Sequence, residues 1–193
     1  NLNVTVAEGG TSSAIAVAGT DIETNDNNLT FKLETAASNG TVAISSAGVW
    51  TYTHNGTETS TDSFTYSAND GTANGNPATV SITITSVDTS PVTTAVAIAL
   101  NEGAAATYDL ATNTTDSDTN SGITYTVVSA PSNGALTDPN NSNASVTIGS
   151  ALAGSTVTYT HNGGETTSDT FTFKANDPNS DSNISTATVT VTT

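Results

Sequence analysis

The chain has 193 residues and a formal net charge of −16, from 18 acidic and 2 basic side chains. Phosphate binding needs clusters of Lys and Arg, so nucleic acid is excluded as a partner and an anionic membrane surface is disfavoured. There is no Cys from which to read a redox compartment, and no apolar run of spanning length, so membrane insertion is not expected.

Thr, Ser, Asn, Ala, Val and Gly dominate what remains. High net charge with modest hydrophobicity also describes disordered chains, but regular alternation argues for folded β structure. Leu2, Val4 and Val6 alternate and lead into Glu8-Gly9-Gly10. Ala14 to Ala18 reads as a strand buried on both faces. Asp21 to Asn28 is a polar loop dense in oxygen ligands, followed by a strand carrying Leu29, Phe31 and Leu33. Asn39-Gly40 predicts a turn before a short strand with Val42 and Ile44. Trp50 and Tyr52 open the next strand, Asn55-Gly56 predicts a hairpin, and Phe64 and Tyr66 lie on its second arm. Asp70-Gly71 ends that arm, and Val80, Ile82 and Ile84 form the last strand. About seven short strands separated by turns predict a β-sandwich.

The order then replays. Tyr52 to Asp70 reads YTHNGTETSTDSFTYSAND, and Tyr159 to Asp177 reads YTHNGGETTSDTFTFKAND, 107 positions later. The internal repeat predicts two tandem domains, residues 1–87 and 88–193, with a short linker around Asp88 and Pro91. The copies then diverge in length. Gly40 precedes Tyr52 by 12 positions, whereas Gly134 precedes Tyr159 by 25. The additional 13 residues place an insert near 136–150 of the second domain, in turn-forming sequence.

The carboxylates recur at matched places. Glu8 pairs with Glu102, Asp21 with Asp116, Glu23 with Asp118, Glu58 with Glu165, Asp62 with Asp169, and Asp70 with Asp177. Crowded carboxylates repel unless a cation neutralises them, and calcium takes six to eight oxygens of the kinds abundant here. Local calcium loops do not fit. Asp116, Asp118 and Asn120 imitate the start of an EF-hand, but Ser121 stands where Gly is needed and Val127 where a bidentate Glu is needed. Any calcium site must be assembled from distant segments. No nucleophile–base pair, phosphate loop or metal-spaced His pair is visible, so no enzyme is expected.

A strand with alternating Val then Glu-Gly, the Asp-X-Glu/Asp loop, Tyr-Thr-His-Asn-Gly with its downstream Glu-Thr and Asp-Ser/Thr-Phe, Ala-Asn-Asp, and the Asp-X-X-Pro linker follow one another. This order resembles the cadherin-like tandem repeats of bacterial surface adhesins and biofilm proteins, over nearly the whole chain. The resemblance implies an all-β chain of two immunoglobulin-like, seven-stranded sandwiches. It implies extracellular extender repeats at a bacterial cell surface, supporting adhesion or biofilm formation, with calcium at domain junctions and neighbouring repeats as partners. The ligands it implies for the internal junction are Glu8 and Asp62, with Glu58 as competitor, then Asp88, Asp116, Asp118 and Asp177. Asp21, Glu23 and Asp70 would serve a preceding domain, and Glu102 and Asp169 a following one. The alternatives are a subunit of an extracellular filament or matrix, self-associating edge to edge, and a carbohydrate-binding module with Trp50 or the insert as its platform. Asp62 and Asp169 also have a plain structural reading as turn caps, Asp70 as part of a turn, and Asp21, Glu23, Asp116 and Asp118 as solvated loop residues.

Overall fold

The computed structural model describes residues 2–22, 28–118 and 122–192. Glu23 lies outside these residues. The chain divides into two compact units, Asn1–Val87 and Asp88–Thr193.

In the first unit, β1 (Leu2–Ala7), β3 (Thr30–Thr35), β6 (Thr61–Asn69) and β7 (Ala78–Thr85) form one sheet in the order β1-β7-β6-β3. Strands β2 (Ile15–Ala16), β4 (Gly40–Ile44) and β5 (Val49–His54) form the other, in the order β2-β5-β4. These are the seven strands of an immunoglobulin-like sandwich. The first and last strands pair in parallel, Leu2 opposite Val80 through Ala7 opposite Thr85. Alternation explains the core. Phe64, Val80, Ile82, Ile84 and Val6 face inward from one sheet, and Trp50 and Tyr52 meet them from the other. Trp50 lies edge-on to Phe64, with ring centroids 4.9 Å apart.

The second unit repeats the plan. β9 (Val96–Asn101), β12 (Thr124–Ser129), β16 (Ser168–Asn176) and β17 (Ser185–Thr192) make the sheet β12-β16-β17-β9, again with parallel terminal strands. β10 (Ala105–Asp109), β13 (Gly134–Asp138), β14 (Ala144–Ser145) and β15 (Thr156–His161) make the sheet β10-β15-β13-β14. A short pair joins β8 (Val92–Thr93) to β11 (Thr114–Thr115).

Three expectations need correction. Asn55-Gly56 does not join a hairpin. Gly56 does take a positive φ of 81°, yet β5 and β6 belong to opposite sheets, so the turn is a crossover. The Asn39-Gly40 glycine is not there for its φ. A side chain on Gly40 would lie 2.5 Å from the Tyr52 ring, and one on Gly134 would lie 2.4 Å from the Tyr159 ring. Gly is required because the tyrosine occupies the space. Ala14–Ala18 is not buried on both faces. It alternates exposed and half-buried, and only Ile15–Ala16 is strand.

Trp50 is 1% exposed and cannot be a sugar platform. Among the described residues no aromatic ring is fully exposed, and the insert carries none.

Candidate metal centre

The repeated stretch builds a tie between the two sheets. Tyr52 on β5 donates its hydroxyl to Asp62 Oδ2 on β6 at 3.0 Å. Asp62 also accepts the backbone N–H groups of Ser38 (3.0 Å), Asn39 (2.8 Å) and Ser63 (2.8 Å). Repeat two reproduces it. Asp169 accepts Tyr159 Oη (3.0 Å) and the N–H groups of Ser132 (3.0 Å), Asn133 (2.8 Å) and Thr170 (2.8 Å). Burial opposes ionisation of Asp62 and Asp169, but these donors outweigh it and hold both carboxyls below their ordinary range. Burial, then the carboxylate hydrogen bond, pushes the Tyr52 and Tyr159 phenols well above theirs.

The histidines complete the same corner. His54 Nδ1 accepts the N–H groups of Gly9 (3.1 Å) and Gly56 (3.2 Å), and its Nε2 lies 3.0 Å from Thr59 Oγ1. Nδ1 is thus the unprotonated nitrogen. His161 does the same with Gly103, Gly163 and Thr166. Both rings are buried and structural.

The other carboxylates gather at the ends of each sandwich. Glu8 follows β1, and its Oε2 accepts the Val87 N–H at 3.4 Å, so it sits at the pole where the chain leaves unit one. Glu58 precedes β6 by three residues, and Asp62 is the second residue of β6, opposite Ile82 of β7. Asp70 lies past the other end of β6, some eight residues or roughly 26 Å away. There Asp70 and Asp21 line one cavity of about 140 Å³ with Thr20, Asn74 and Gly75. Asp70 Oδ1 accepts the N–H groups of Thr72 and Ala73, both at 2.7 Å, and these lower its pKa.

In unit two the matching pole holds four of the expected carboxylates, linked by hydrogen bonds. Asp116 Oδ1 accepts the Asp118 N–H at 3.0 Å. Asp118 Oδ2 accepts the N–H (2.7 Å) and hydroxyl (3.1 Å) of Thr89, beside Asp88 in the linker. Asp88 Oδ1 accepts Asn179 Nδ2 at 2.8 Å. Asn179 lies in the turn that Asp177 caps, donating its own N–H to Asp177 Oδ1 at 2.7 Å. Burial works against the Asp177 anion, but the Asn179 and Ser180 donors keep its pKa low. Glu102 sits at the opposite pole, its N–H bonded to Thr192 O at 2.9 Å.

This chain of bonds leaves specific oxygens unused. Asp116 Oδ2 and Asp118 Oδ1 are buried without a hydrogen-bond partner among the described residues. A buried carboxylate oxygen left so is costly unless something positive meets it. The donor set is all oxygen, which suits a hard divalent cation and not zinc. Thr89 and Asn179 were not among the residues the sequence singled out. They position carboxylates, and only their adjacency to Asp88 and Asp177 hinted at it.

The bacterial cadherin-like domain family matches residues 1–86, and the cadherin-like family matches residues 92–191. The fold is similar to human mucin-like protocadherin EC1-2, with a TM-score of 0.59 at 14% identity over 98% of this chain and 95% of that one. It is similar to human CDH23 EC21-23 with a TM-score of 0.59 at 18% identity over 98% of this chain and 67% of that one. At such identities the likeness is one of fold. No curated protein matches the chain.

Proposed function

Because the chain belongs to the cadherin-like family, as two such domains in tandem, we propose that it is a calcium-rigidified pair of spacer repeats from a bacterial cell-surface adhesin. The observation that carries this reading is the pair of buried, unpartnered oxygens on Asp116 and Asp118. Asp88 and Asp177, tied to them through Thr89 and Asn179, supply further oxygens at that pole. Calcium neutralises the repulsion among these carboxylates and fixes the loops that carry them.

We assign Asp62 and Asp169 to the sheet tie, since their oxygens already accept four hydrogen bonds each. Asp21, Glu23 and Asp70 serve a preceding repeat, and Glu102 a following one. The role is extracellular, mechanical and non-enzymatic, with neighbouring repeats as partners. Among the described residues no helix is long and apolar enough to cross a membrane.

Calorimetric titration with calcium tests the reading. Binding with a Kd of about 0.1–1 mM is expected, as for extracellular modules. Asp116→Asn with Asp118→Asn abolishes the tightest site, and Asp169→Asn leaves it. Small-angle scattering supplies the mechanical half, with a larger maximum dimension in calcium than in chelator. Unchanged dimensions sink the spacer role.

A further inference from the structure

The two repeats treat the same side of the sandwich differently. In repeat two, β14 runs antiparallel along β13, with Thr137 opposite Ser145 and Asp138 opposite Ala144. Val146 N–H then donates to Leu136 O at 3.0 Å. The insert crosses to the other sheet, where Gly149 N–H reaches Val127 O (2.9 Å) and Leu152 N–H reaches Tyr125 O (2.8 Å). One segment closes both edges.

Among the described residues, repeat one has no segment paired along the matching edge; its short turn reaches the other sheet, where Phe31 N–H donates to Ser46 O at 3.0 Å. Its β4 corresponds to β13 and ends its sheet. Tyr52, opposite Val42, gives its N–H to Ser12 Oγ (3.0 Å) and accepts Ser12 N–H at its carbonyl (2.8 Å). Val42 therefore turns its own N–H and C=O outward, and among the described residues no hydrogen bond meets them. Natural edge strands are blunted by charge, proline or a bulge. β4 reads Gly-Thr-Val-Ala-Ile and has none of these. It lies in a run of 23 residues, 35–57, without one charged side chain, in a chain of net charge −16. Beside it Ala43, Ile44, Val49 and Trp50 line an apolar depression of about 330 Å³, and Val49 is 43% exposed.

We propose that β4 is a strand-addition edge and that its occupant is β4 of a second copy of this chain, paired antiparallel about a two-fold axis. Repeat two shows what the matched edge accepts, namely an antiparallel, uncharged strand of small residues, Ala144-Ser145-Val146. β4 is itself such a strand, so it complements itself. Two chains of this charge repel at their acidic poles and meet at lowest cost on the neutral strip. Because the insert already occupies the repeat-two edge, pairing closes at a dimer and does not propagate.

Analytical ultracentrifugation of the whole chain, from micromolar to near-millimolar concentration, tests this. A concentration-dependent dimer is expected, equally in calcium and in chelator, so its outcome is separate from the calcium reading. Ala43 is exposed, so Ala43→Lys and Ala43→Glu each leave Trp50 fluorescence unchanged while weakening the dimer about tenfold or more through like-charge repulsion. Mixing the two variants restores it. Grafting residues 139–155 between Ile44 and Val49 abolishes it by covering the edge. The proposal is overturned by a monomer at every concentration, or by a dimer indifferent to Ala43 or to the graft. A chain that stays monomeric yet binds a peptide of residues 143–153 overturns it too, since the edge then serves a different strand.

Discussion

Repeat one and repeat two follow one strand plan and close it to different degrees. Tyr125, Val127 and Phe173 of repeat two are 4%, 0% and 0% exposed. Their counterparts Phe31, Leu33 and Tyr66 are only half-buried. The insert accounts for the difference. Leu152 is 8% exposed within the repeat-two core, and Asp138 pins the base of the insert by accepting the N–H groups of Asn140 (2.9 Å) and Ala153 (2.7 Å). Length added in a loop costs little chain entropy, while the apolar area it covers contributes to stability. A surface insertion has become part of a core.

The largest expected effect comes from undoing that closure. Replacing residues 139–155 by the four-residue turn Ser45–Gly48 should cost repeat two on the order of 5 kcal/mol, through loss of Leu152 and re-exposure of Tyr125 and Val127. Trp50 is the lone tryptophan, so its fluorescence follows repeat one alone, while circular dichroism follows both. In the native chain, urea should unfold repeat one first by fluorescence, with a later transition seen only by dichroism. In the shortened chain the gap should vanish. Coincident transitions in the native chain would break the comparison.

Next come the sheet ties. Asp169→Ala strands three N–H groups and a buried hydroxyl, and should cost about 3 kcal/mol. Asp62→Ala, in the more exposed repeat, should cost about 2 kcal/mol. Both carboxyls have folded pKa values below their unfolded ones. Their contribution is therefore full above the unfolded value of about 3.9 and fades as pH falls through the folded value. Urea midpoints measured from neutral to acid pH should drop over that window, and Asp169→Asn should flatten the drop for repeat two only. The last effect is steric. Gly40→Ala and Gly134→Ala push a methyl group into a tyrosine ring and should each cost about 1–3 kcal/mol, with the better-packed repeat two losing more.

Much of this plan is legible in the residues. Period-two alternation located Val80, Ile82 and Ile84 and their matches, because each sheet buries one face. The 107-residue offset separated the repeats. What was not legible was pairing over distance. Asn55-Gly56 announces a positive φ but says nothing about which sheet the next strand joins. Asp62 looks like a ligand in sequence because the donors that saturate it, Ser38 and Asn39, lie over twenty residues away. The insert reads as polar turn until Leu152 is seen against Tyr125. At the candidate metal centre, residue types and matched spacing pointed to the carboxylates. Which oxygens are free depends on Thr89 and Asn179, which no pattern marks.

The parallel pairing of the first and last strand gives each unit a direction of strength. Tension enters one unit at the start of β1 and leaves at the end of β7. It enters the other through β8, just ahead of β9, and leaves at β17. Such a pull slides the two strands past each other along their length. Six residue pairs in each ladder then share the load and must fail together rather than open one at a time like a zipper. Forced unfolding is governed by its rate barrier and not by equilibrium stability. Even the less tightly closed repeat one can therefore hold against a pull along the chain.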